Sequence, residues 1–456
     1  MLSVSGARGL VGRSMTPEVA SAIASAFGTE IQADSAEDTP TVLIGSDGRA
    51  SGQQFVEAAR QGLAATGCRV IDLGVVTTPT VGVMIRALSA AGAVVVTASH
   101  NPIEWNGIKC LDRNGLAPPP EDAARIIDRF KARRFELVSE NQRPQADVDS
   151  TGSRVHVDRV LSMIDTELIR KAAFTVVLDS VNASGGPAGR MLLDALGCTV
   201  IHLNGEQTGV FAHAPEPTRE NLQDLANHVR NTSGVACGFA QDPDADRLAI
   251  VDGNGDYIGE EFTLALAALR ILQVRGGVPL AANLSTSRMI DDIAARFEGA
   301  TVTRTAVGEA NVVAGMRASG APLGGEGNGG VIVEAVGWVR DSIAAMGLVL
   351  ELLASEGRAL AEIVNELPRY AMVKRKLDLS SIGGRDAIQP ALDRMRAHYA
   401  NERINDADGV RVDLEEGWVH LRASNTEPII RVISESRTSE AAEELADQVA
   451  RASGLA

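Results

Sequence analysis

The stretch Ala93-Val94-Val95-Val96-Thr97-Ala98-Ser99-His100-Asn101-Pro102 joins an apolar run to a polar loop. Its first part, residues 93–97, predicts a buried strand, because such strands are short, β-branched and continuously apolar. The loop begins at the carboxyl end of that strand, the edge of an open α/β sheet at which ligands bind. The stretch therefore predicts an α/β fold and places a candidate site in it.

Strand and helix patterns alternate on both sides of this stretch. Strand patterns at 41–45 and 69–73 enclose a helical pattern at 53–66. This order is typical of βαβ units around a mostly parallel sheet. Similar alternations return at 174–203 and 280–333, so we predict three related α/β units.

The last part of the chain follows a different plan. Strand patterns at 410–414 and 418–422 pair across a short turn, and a helical pattern follows at 439–450. These patterns predict a smaller α+β domain. A polar stretch at 140–154 is interpreted as the first linker. The predicted domains are 1–150, 151–257, 258–369 and 370–456.

The composition excludes several functional classes. A chain of 456 residues exceeds the usual size of one domain, and 45% apolar residues fit a globular protein. There are 43 Lys and Arg against 59 Asp and Glu, a formal charge of −16, which argues against a nucleic-acid partner. An anionic substrate would require the few cationic side chains to gather at one site.

Cysteine spacing and hydropathy exclude other sites and settings. The four cysteines lie far apart, with no C-x-x-C pair and no histidines at zinc spacing. The longest apolar stretch, near 342–354, is interrupted by Glu351, and the first residues do not follow the pattern of a signal peptide. We expect a cytoplasmic protein with no membrane span, and the sequence carries no signal for its oligomeric state.

Ser99 is the first candidate catalytic residue. A serine at the end of a strand and beside an imidazole can act as a nucleophile or a phosphate carrier. An ordinary Asn-Pro turn with solvated Ser99 and His100 is the alternative from this segment alone. The chain has neither a G-x-S-x-G elbow nor a Walker A sequence, which argues against lipase-like and P-loop enzymes.

The segment Asp242-Pro243-Asp244-Ala245-Asp246-Arg247 predicts a metal site. Three carboxylates at alternate positions of an extended loop point the same way and repel one another unless a divalent cation lies among them. Mg²⁺ suits them, because it often completes its coordination with water and phosphate oxygens. An EF-hand is excluded, since Arg247 and Gly253 stand where that loop needs Gly and Glu. A charged surface hairpin is the alternative.

Two further loops carry candidate binding residues. In residues 324–330, Glu326 and Asn328 stand on an otherwise glycine backbone, a combination that suits sugar hydroxyls. In Arg422-Ala423-Ser424-Asn425-Thr426-Glu427-Pro428 and the nearby Arg431, a guanidinium, hydroxyls and an amide can form a phosphate cradle. A flexible turn and a hairpin turn are the respective alternatives.

These four motifs, in this order and one per predicted domain, resemble those of the α-D-phosphohexomutase superfamily over essentially the whole chain. The resemblance implies three mixed or parallel-sheet α/β domains of shared topology and a fourth, α+β domain related to the TATA-box-binding protein, around a central cleft. The form Glu326-Gly327-Asn328-Gly329-Gly330, with residues 283–288 and 305–309, is most similar to the phosphoglucosamine mutase branch. Many members have G-E-x-S-G-H in this loop, so a role for that histidine does not carry over.

The resemblance also implies a role for each candidate residue. Ser99 becomes the phosphoserine, and its phosphate joins Asp242, Asp244 and Asp246 as ligands of Mg²⁺. The other residues implied in catalysis are His100, Lys109, Arg8 and Arg247. Sugar hydroxyls are implied to contact Glu326 and Asn328. The phosphate that is not transferred is implied to contact Arg422, Ser424, Asn425, Thr426 and Arg431.

The implied reaction is a phosphohexomutase reaction. Phosphorylated Ser99 gives its phosphoryl group to a hexose monophosphate, and the resulting hexose 1,6-bisphosphate turns around and returns its other phosphate. Conversion of glucosamine 6-phosphate to glucosamine 1-phosphate is expected, with a phosphomannomutase or phosphoglucomutase as the alternative. A sugar-phosphate phosphatase or a non-catalytic sugar-phosphate sensor would be a different class, and a sensor should lack Ser99 or one of the aspartates.

Overall fold

The computed structural model describes residues 2–3, 6–382, 384–424 and 429–455. The chain divides into two compact units, the first comprising Met1–Arg270 and Gly329–Val364 and the second Ile271–Asn328 and Asn365–Ala456. The four-domain boundaries at residues 150, 257 and 369 stay predictions.

A seven-stranded mixed sheet lies in the first unit. Its strands are β1 (Leu2–Ser3), β2 (Gly6–Leu10), β3 (Thr41–Ser46), β4 (Arg69–Val75), β5 (Gly92–Val96), β6 (Trp105–Asp112) and β7 (Asp147–Val148), in the order β1-β2-β6-β5-β3-β4-β7. Strands β5, β3, β4 and β7 run parallel, whereas β6 is antiparallel to both β5 and β2. Residues 140–154, interpreted as a linker, contain β7. Strand β2 escapes prediction because two of its five residues are glycine.

Four helices accompany this sheet: α1 (Pro17–Asp34), α2 (Gly52–Ala65), α3 (Thr78–Ala87) and α4 (Pro120–Ala132). Helix α1 begins after Thr16, whose Oγ1 accepts from the backbone N–H of Val19, and Pro17 occupies its first turn. Thr77 caps α3 in the same way. The helices bury an apolar core against the sheet that includes Phe27, Phe55 and Leu63.

The second sheet, also in the first unit, has the order β11-β10-β8-β9. The elements here are α5 (Gly152–Leu161), α6 (Thr166–Ala172), β8 (Thr175–Asp179), α7 (Gly185–Ala195), β9 (Thr199–Leu203), α8 (Gln223–Asn231), β10 (Val235–Gln241) and β11 (Leu248–Asp252). Strand β11 is antiparallel to β10, so the aspartate-rich segment lies in the loop between them. The Gly-Gly-Pro segment at 185–187 forms the first turn of α7, a position that proline tolerates.

The third region contributes elements to both units. They are α9 (Glu261–Arg275), β12 (Pro279–Asn283), α10 (Met289–Ala294), β13 (Thr301–Thr305), α11 (Glu309–Ser319), β14 (Leu323–Glu326), β15 (Gly330–Val333), α12 (Ser342–Glu356) and α13 (Leu360–Glu366). In the second unit, β12 pairs in parallel with β13 and β14. Helix α12 covers the longest apolar stretch of the chain, yet no helix in the described residues is both long and apolar enough to cross a bilayer.

An antiparallel sheet of order β16-β20-β19-β18-β17 forms the last part of the second unit. Its elements are β16 (Ala371–Asp378), α14 (Ile388–His398), β17 (Arg403–Asn405), β18 (Val410–Asp413), β19 (Gly417–Ala423), β20 (Ile429–Ser436) and α15 (Ser439–Ala452). Helix α14 starts at Ile388, which keeps Pro390 within its first turn, where proline is tolerated. The predicted fold class, three α/β regions followed by an α+β region, is confirmed.

Candidate active site

The Ser99 loop starts where β5 ends, as the sequence predicts. Ser99 is only 2% exposed and has a φ of +51°, which is unusual for a residue with a side chain. Its Oγ lies 3.2 Å from Nδ1 of His100 and donates to Oδ2 of Asp242 over 3.2 Å. The solvated turn considered as an alternative is therefore wrong, and the hydroxyl faces the aspartate-rich loop.

His100 is an uncharged neighbour of Ser99. Burial lowers its pKa to about 3, and the positive charges of Arg247 and Arg8 act in the same direction. A neutral imidazole can exchange a hydrogen bond with the Ser99 hydroxyl but contributes no positive charge to bind phosphate.

The three aspartates between β10 and β11 form one buried cluster. Asp242, Asp244 and Asp246 each offer a carboxylate oxygen within 4.8 Å of the other two. In the part of the chain that the structure describes, Oδ1 of Asp244 and Oδ1 of Asp246 have no hydrogen-bond partner although both atoms are buried. Hard oxygen ligands with unsatisfied buried lone pairs fit a divalent cation such as Mg²⁺.

The pKa values of the three carboxyl groups shift in different directions. Burial and the charges of the neighbouring aspartates raise the pKa of Asp242 and Asp244. Burial also opposes ionisation of Asp246, but Arg340, Lys109 and Arg247 hold its pKa below the ordinary value. Asp242 and Asp244 therefore differ from Asp246, whose charge is stabilised by three neighbouring cations.

Strands β2 and β6 bring two of the predicted cations to the same side of the first sheet. Arg8 pairs with Gly107 across the strands, and Lys109 follows two residues later, so both side chains share a face. A Cβ at Gly107 would lie 2.5 Å from the Ala7 carbonyl oxygen and 2.7 Å from the Thr97 carbonyl oxygen, so only a glycine fits there. The positive charges of Arg8 and Lys109 both act on Asp244 and Asp246.

Arg247 and Arg340 flank the third carboxylate. Nε of Arg247 is 3.8 Å from Oδ1 of Asp246, and Nη2 of Arg340 is 2.5 Å from its Oδ2. The sequence does not single out Arg340, because 94 residues separate it from Asp246. The only local signal is the following Asp341, which caps α12 by accepting from the backbone N–H groups of Ile343 and Ala344.

A network of buried polar residues on α3, on α5 and at the start of α12 supports the aspartate loop. Thr78 donates its hydroxyl to Oδ2 of Asp244 over 2.8 Å, and its backbone N–H donates to the Asp244 carbonyl over 2.9 Å. Nearby, the fully buried His156 lies between Thr80 Oγ1 at 2.9 Å and Asp341 Oδ2 at 2.8 Å. The loop is therefore held by α3 and by the residues that begin α12, none of which carries a sequence motif.

The predicted sugar-binding residues lie in the second unit. Glu326, the last residue of β14, is buried, and its Oε1 accepts from Nδ2 of Asn283 at 2.8 Å and from the backbone N–H of Gly308 at 3.2 Å. Asn328 follows in a half-buried position. Asn283 is the last residue of β12, and Gly308 lies three residues after the end of β13. The Glu326 carboxylate is therefore held at the carboxyl edge of a parallel sheet.

The predicted phosphate-binding residues lie on β19 and β20 of the same unit. Arg422 and Arg431 are cross-strand partners, and Ser424 follows at the end of β19. Nε of Arg422 donates to Oδ2 of Asp408 over 2.9 Å, and the same oxygen accepts from the backbone N–H of Val307. Asn425 and Thr426 lie outside the described residues.

His420 is a buried histidine that belongs to none of the four sequence motifs. Its Nε2 lies 2.6 Å from the Asp408 carbonyl oxygen and its Nδ1 lies 3.0 Å from Ser285 Oγ. Burial lowers its pKa to about 4, so the ring is neutral. It connects the loop after β12 to the hairpin that holds Arg422. Its position two residues before Arg422 is the only signal in the sequence.

The structure thus places the candidate residues in two groups. The first unit holds the serine, the carboxylates and their cations: Ser99, His100, Asp242, Asp244, Asp246, Arg8, Lys109 and Arg247. The second unit holds the sugar and phosphate candidates that are described: Glu326, Asn328, Arg422, Ser424 and Arg431.

Four family descriptions match successive parts of this chain. Residues 2–137, 154–255 and 259–370 match "Phosphoglucomutase/phosphomannomutase, alpha/beta/alpha" domains I, II and III, and residues 383–452 match the C-terminal domain of the same proteins. A crystal structure of a phosphoglucomutase/phosphomannomutase family protein from Burkholderia thailandensis superposes with a TM-score of 0.86 and 28% identity, covering 100% of this chain and 98% of the other.

Two curated relatives match over nearly their whole length. A phosphoglucomutase/phosphomannomutase from Thermococcus kodakarensis is 37% identical, covering 96% of this chain and 95% of the relative. A phosphoglucosamine/phosphogalactosamine mutase from Sulfurisphaera tokodaii is 30% identical, with 98% of each chain covered. Fold and sequence together define an isomerase that acts as an intramolecular phosphotransferase. The chain belongs to the phosphoglucomutase/phosphomannomutase family, which confirms the predicted resemblance to phosphohexomutases and to their phosphoglucosamine mutase branch.

Proposed function

We propose that Ser99 carries the phosphoryl group in a mutase reaction that interconverts glucosamine 6-phosphate and glucosamine 1-phosphate. The observation that carries this proposal is the 3.2 Å contact between Ser99 Oγ and Asp242 Oδ2, inside a cluster of three buried carboxylates. A phosphate attached to this hydroxyl would lie beside the carboxylates, which could hold a cation, and near the cationic side chains. Arg8, Lys109 and Arg247 are the residues proposed to surround that phosphate.

Asp242, Asp244 and Asp246 are proposed to hold Mg²⁺ together with a phosphate oxygen on Ser99. When bound, the ion neutralises charge on the transferring phosphoryl group. Oδ1 of Asp244 and Oδ1 of Asp246 support this assignment, because buried carboxylate oxygens that accept no hydrogen bond are costly. Chelation should stop turnover, and D242N, D244N and D246N should each weaken Mg²⁺ binding measured by calorimetry, with the exposed D256N as control.

The proposed transfer step moves the phosphoryl group from Ser99 to the sugar. A sugar hydroxyl oxygen attacks the phosphorus of phospho-Ser99, the bond from phosphorus to Oγ breaks, and the sugar proton passes to the released Oγ, directly or through His100. The product of this half-reaction is a hexose 1,6-bisphosphate. The second half-reaction runs the same steps backwards on the other phosphate, so both ends of the sugar must fit the site. Arg422, Ser424, Asn425, Thr426 and Arg431 are proposed to bind the phosphate that is not being transferred.

The experiment that tests the phosphoserine is a mass measurement. Incubation of the dephosphorylated full chain with glucosamine 1,6-bisphosphate should add one phosphate that maps to Ser99. S99A should add none, and it should lose mutase activity while its thermal unfolding midpoint stays close to that of the wild type. Phosphate found only at other residues, or an active S99A enzyme, would contradict the proposal.

Glucose or mannose phosphates are the second candidate substrates, and the name of the Thermococcus relative favours them. The glucosamine assignment rests on the Sulfurisphaera relative and on the loop around Glu326. Competition between glucosamine 6-phosphate, glucose 6-phosphate and mannose 6-phosphate separates these possibilities. A clear preference for mannose or glucose would overturn the substrate while leaving the phosphoserine mechanism in place. Release of free phosphate as the main product would instead indicate a phosphatase.

A further inference from the structure

Arg49 is a buried arginine whose guanidinium holds the loop that carries Ser99. The residue is 2% exposed. Its Nη1 donates to the carbonyl oxygens of Asn101 and Pro102, both at 2.9 Å, and of Trp105 at 3.0 Å. Its Nη2 donates to the carbonyl oxygen of Ser99. One side chain therefore fixes four main-chain oxygens of this loop.

Asp47 connects the same guanidinium to the backbone N–H of Ser99. Oδ2 of Asp47 accepts from Nε of Arg49 at 2.8 Å and from Oγ1 of Thr97 at 2.6 Å. Thr97 Oγ1 in turn accepts from the Ser99 backbone N–H at 2.8 Å. Both polar main-chain groups of Ser99 are thus held by the pair formed by Arg49 and Asp47.

Such support is needed because the Ser99 backbone is strained. Its φ of +51° lies in the left-handed region, which residues other than glycine adopt at a cost. Strained backbones persist only where their surroundings hold them. At Ser99 the conformation also decides the direction of Oγ, which faces Asp242.

The other contact of the guanidinium is aromatic. The Cζ atom of Arg49 lies 4.9 Å from the ring centre of Phe211, within the distance of a cation–π contact. The neighbouring Ala50 donates its backbone N–H to the Gly209 carbonyl at 2.9 Å. The segment after β9 therefore covers the guanidinium.

We propose that Arg49 is a positioning residue for phosphoryl transfer, which keeps Ser99 Oγ directed at the aspartate cluster. The inference rests on the proposed phosphoserine function. The hydrogen bonds of Arg49 go to Asp47 and to main-chain oxygens, so it acts through the loop and not on the phosphoryl group itself.

Lysine cannot replace this arginine, because a single ammonium lacks the planar fork that reaches several acceptors at once. We expect R49K to lower kcat by roughly 100-fold, the size of effect that a displacement of about 1 Å causes at a reacting centre. The KM for the hexose phosphate should change far less than kcat. The rate at which hexose 1,6-bisphosphate phosphorylates the dephosphorylated enzyme should fall as kcat does.

The control is Arg270, a partly buried arginine whose Nε lies 3.1 Å from Oε2 of the buried Glu351. R270K measures what the loss of an arginine in an ion pair away from Ser99 does to stability alone. T97V is the second variant, because it removes the hydroxyl between Asp47 and the Ser99 backbone while leaving Arg49 intact. The measurements on the full chain are kcat, KM, the phosphorylation rate by intact mass, and the thermal unfolding midpoint.

A loss of kcat and of phosphorylation rate in R49K, well beyond that in R270K at a similar loss of unfolding midpoint, supports the proposal. Equal losses of kcat and phosphorylation rate in R49K and R270K, or a change in KM alone, overturn the proposal.

If R49K does not fold, T97V is the deciding variant. A wild-type phosphorylation rate in T97V overturns the proposal, and a reduced rate supports it. If the wild type takes no phosphate on Ser99, the proposed function and this inference are both wrong. If the wild type is phosphorylated on Ser99 and R49K is phosphorylated at the same rate, only the inference about Arg49 is wrong.

Discussion

Nη2 of Arg340 lies 2.5 Å from Oδ2 of Asp246, and this ion pair joins the start of α12 to the loop between β10 and β11. The two side chains are 12% and 1% exposed. Arg340 is also the strongest of the positive charges that lower the pKa of Asp246. The pair therefore supplies a counter-charge to a cluster that otherwise consists of mutually repelling carboxylates.

Removing Arg340 should destabilise the metal-free protein. R340M leaves a buried carboxylate without its partner, which costs roughly 3–5 kcal/mol in the free energy of unfolding. Urea unfolding in EDTA and in Mg²⁺ checks this, and the deficit should shrink in Mg²⁺ because the cation replaces the missing positive charge. R190A, which breaks the exposed pair of Arg190 and Asp194, is the control and should cost about 0–1 kcal/mol. Identical unfolding of R340M and wild type in EDTA would contradict the prediction.

Thr78 should tune metal affinity without touching the metal. T78V removes the hydroxyl that donates to Asp244 Oδ2, and loss of such an orienting contact typically weakens metal binding about 10–100-fold. Calorimetric titration with Mg²⁺ measures the change. T78S keeps the hydroxyl and should retain the affinity. Equal Mg²⁺ affinities for T78V and T78S would show that the Thr78 hydroxyl does not orient the Asp244 carboxylate for metal binding.

Glu326 should act both as a structural acceptor and as a substrate contact. In E326A the buried donors of Asn283 and Gly308 lose their acceptor, at a cost of about 1–3 kcal/mol in the free energy of unfolding. E326Q keeps an acceptor oxygen and should be nearly as stable as the wild type.

If the Glu326 carboxylate charge selects the substrate ammonium group, E326Q should lower kcat/KM for glucosamine 6-phosphate more than for glucose 6-phosphate. An unchanged ratio would assign the selectivity to other residues. We also expect N328A to impair all hexose phosphates alike.

The His213 and Asp179 pair should make stability depend on pH. Burial opposes both charges, but the 3.2 Å contact between the two side chains raises the pKa of His213 and lowers that of Asp179. The contribution of charged His213 is complete below about pH 6.5 and is lost as pH rises through its raised pKa. The contribution of Asp179 is present above about pH 4 and is lost as pH falls through its lowered pKa.

The unfolding midpoints of wild type and H213Q test this pH dependence. The advantage of the wild type should be larger at about pH 5.5 than at about pH 8.5, because His213 carries its charge only at the lower value. The matched control is H228Q, which replaces an exposed histidine on α8. An advantage of the same size at both pH values would refute the prediction.

Sequence patterns predicted the elements around Ser99 well because the local signal there is strong. The run at 93–97 and the neighbouring strands are rich in β-branched residues, and the structure contains β5 within one residue of the predicted bounds. Strand β2 has no such signal, yet it carries Arg8 beside the site. Its conformation is imposed by pairing with β6, a contact about a hundred residues away that local propensity does not encode.

Residues that support the site were harder to predict than those proposed to do the chemistry. Ser99 and the aspartates stand in compact motifs, whereas Arg49, Thr78 and Arg340 act through contacts that the tertiary fold alone creates. A single arginine or threonine has no distinguishing neighbours in the sequence. Their roles become visible only once burial and hydrogen-bond partners are known.

The interleaved order of the two compact units has a consequence for biosynthesis. The chain leaves the first unit after Arg270, returns at Gly329 and leaves again after Val364. Helix α12, which packs against α5, α6 and α7, is therefore translated after a long segment that belongs elsewhere. Until that helix emerges from the ribosome, the nascent chain must keep the apolar surfaces of those three helices uncovered, which makes it a candidate client of chaperones. A gene split at residue 270 would encode a first fragment that lacks Gly329–Val364 of its own unit, and a second fragment that holds the whole second unit together with that missing segment.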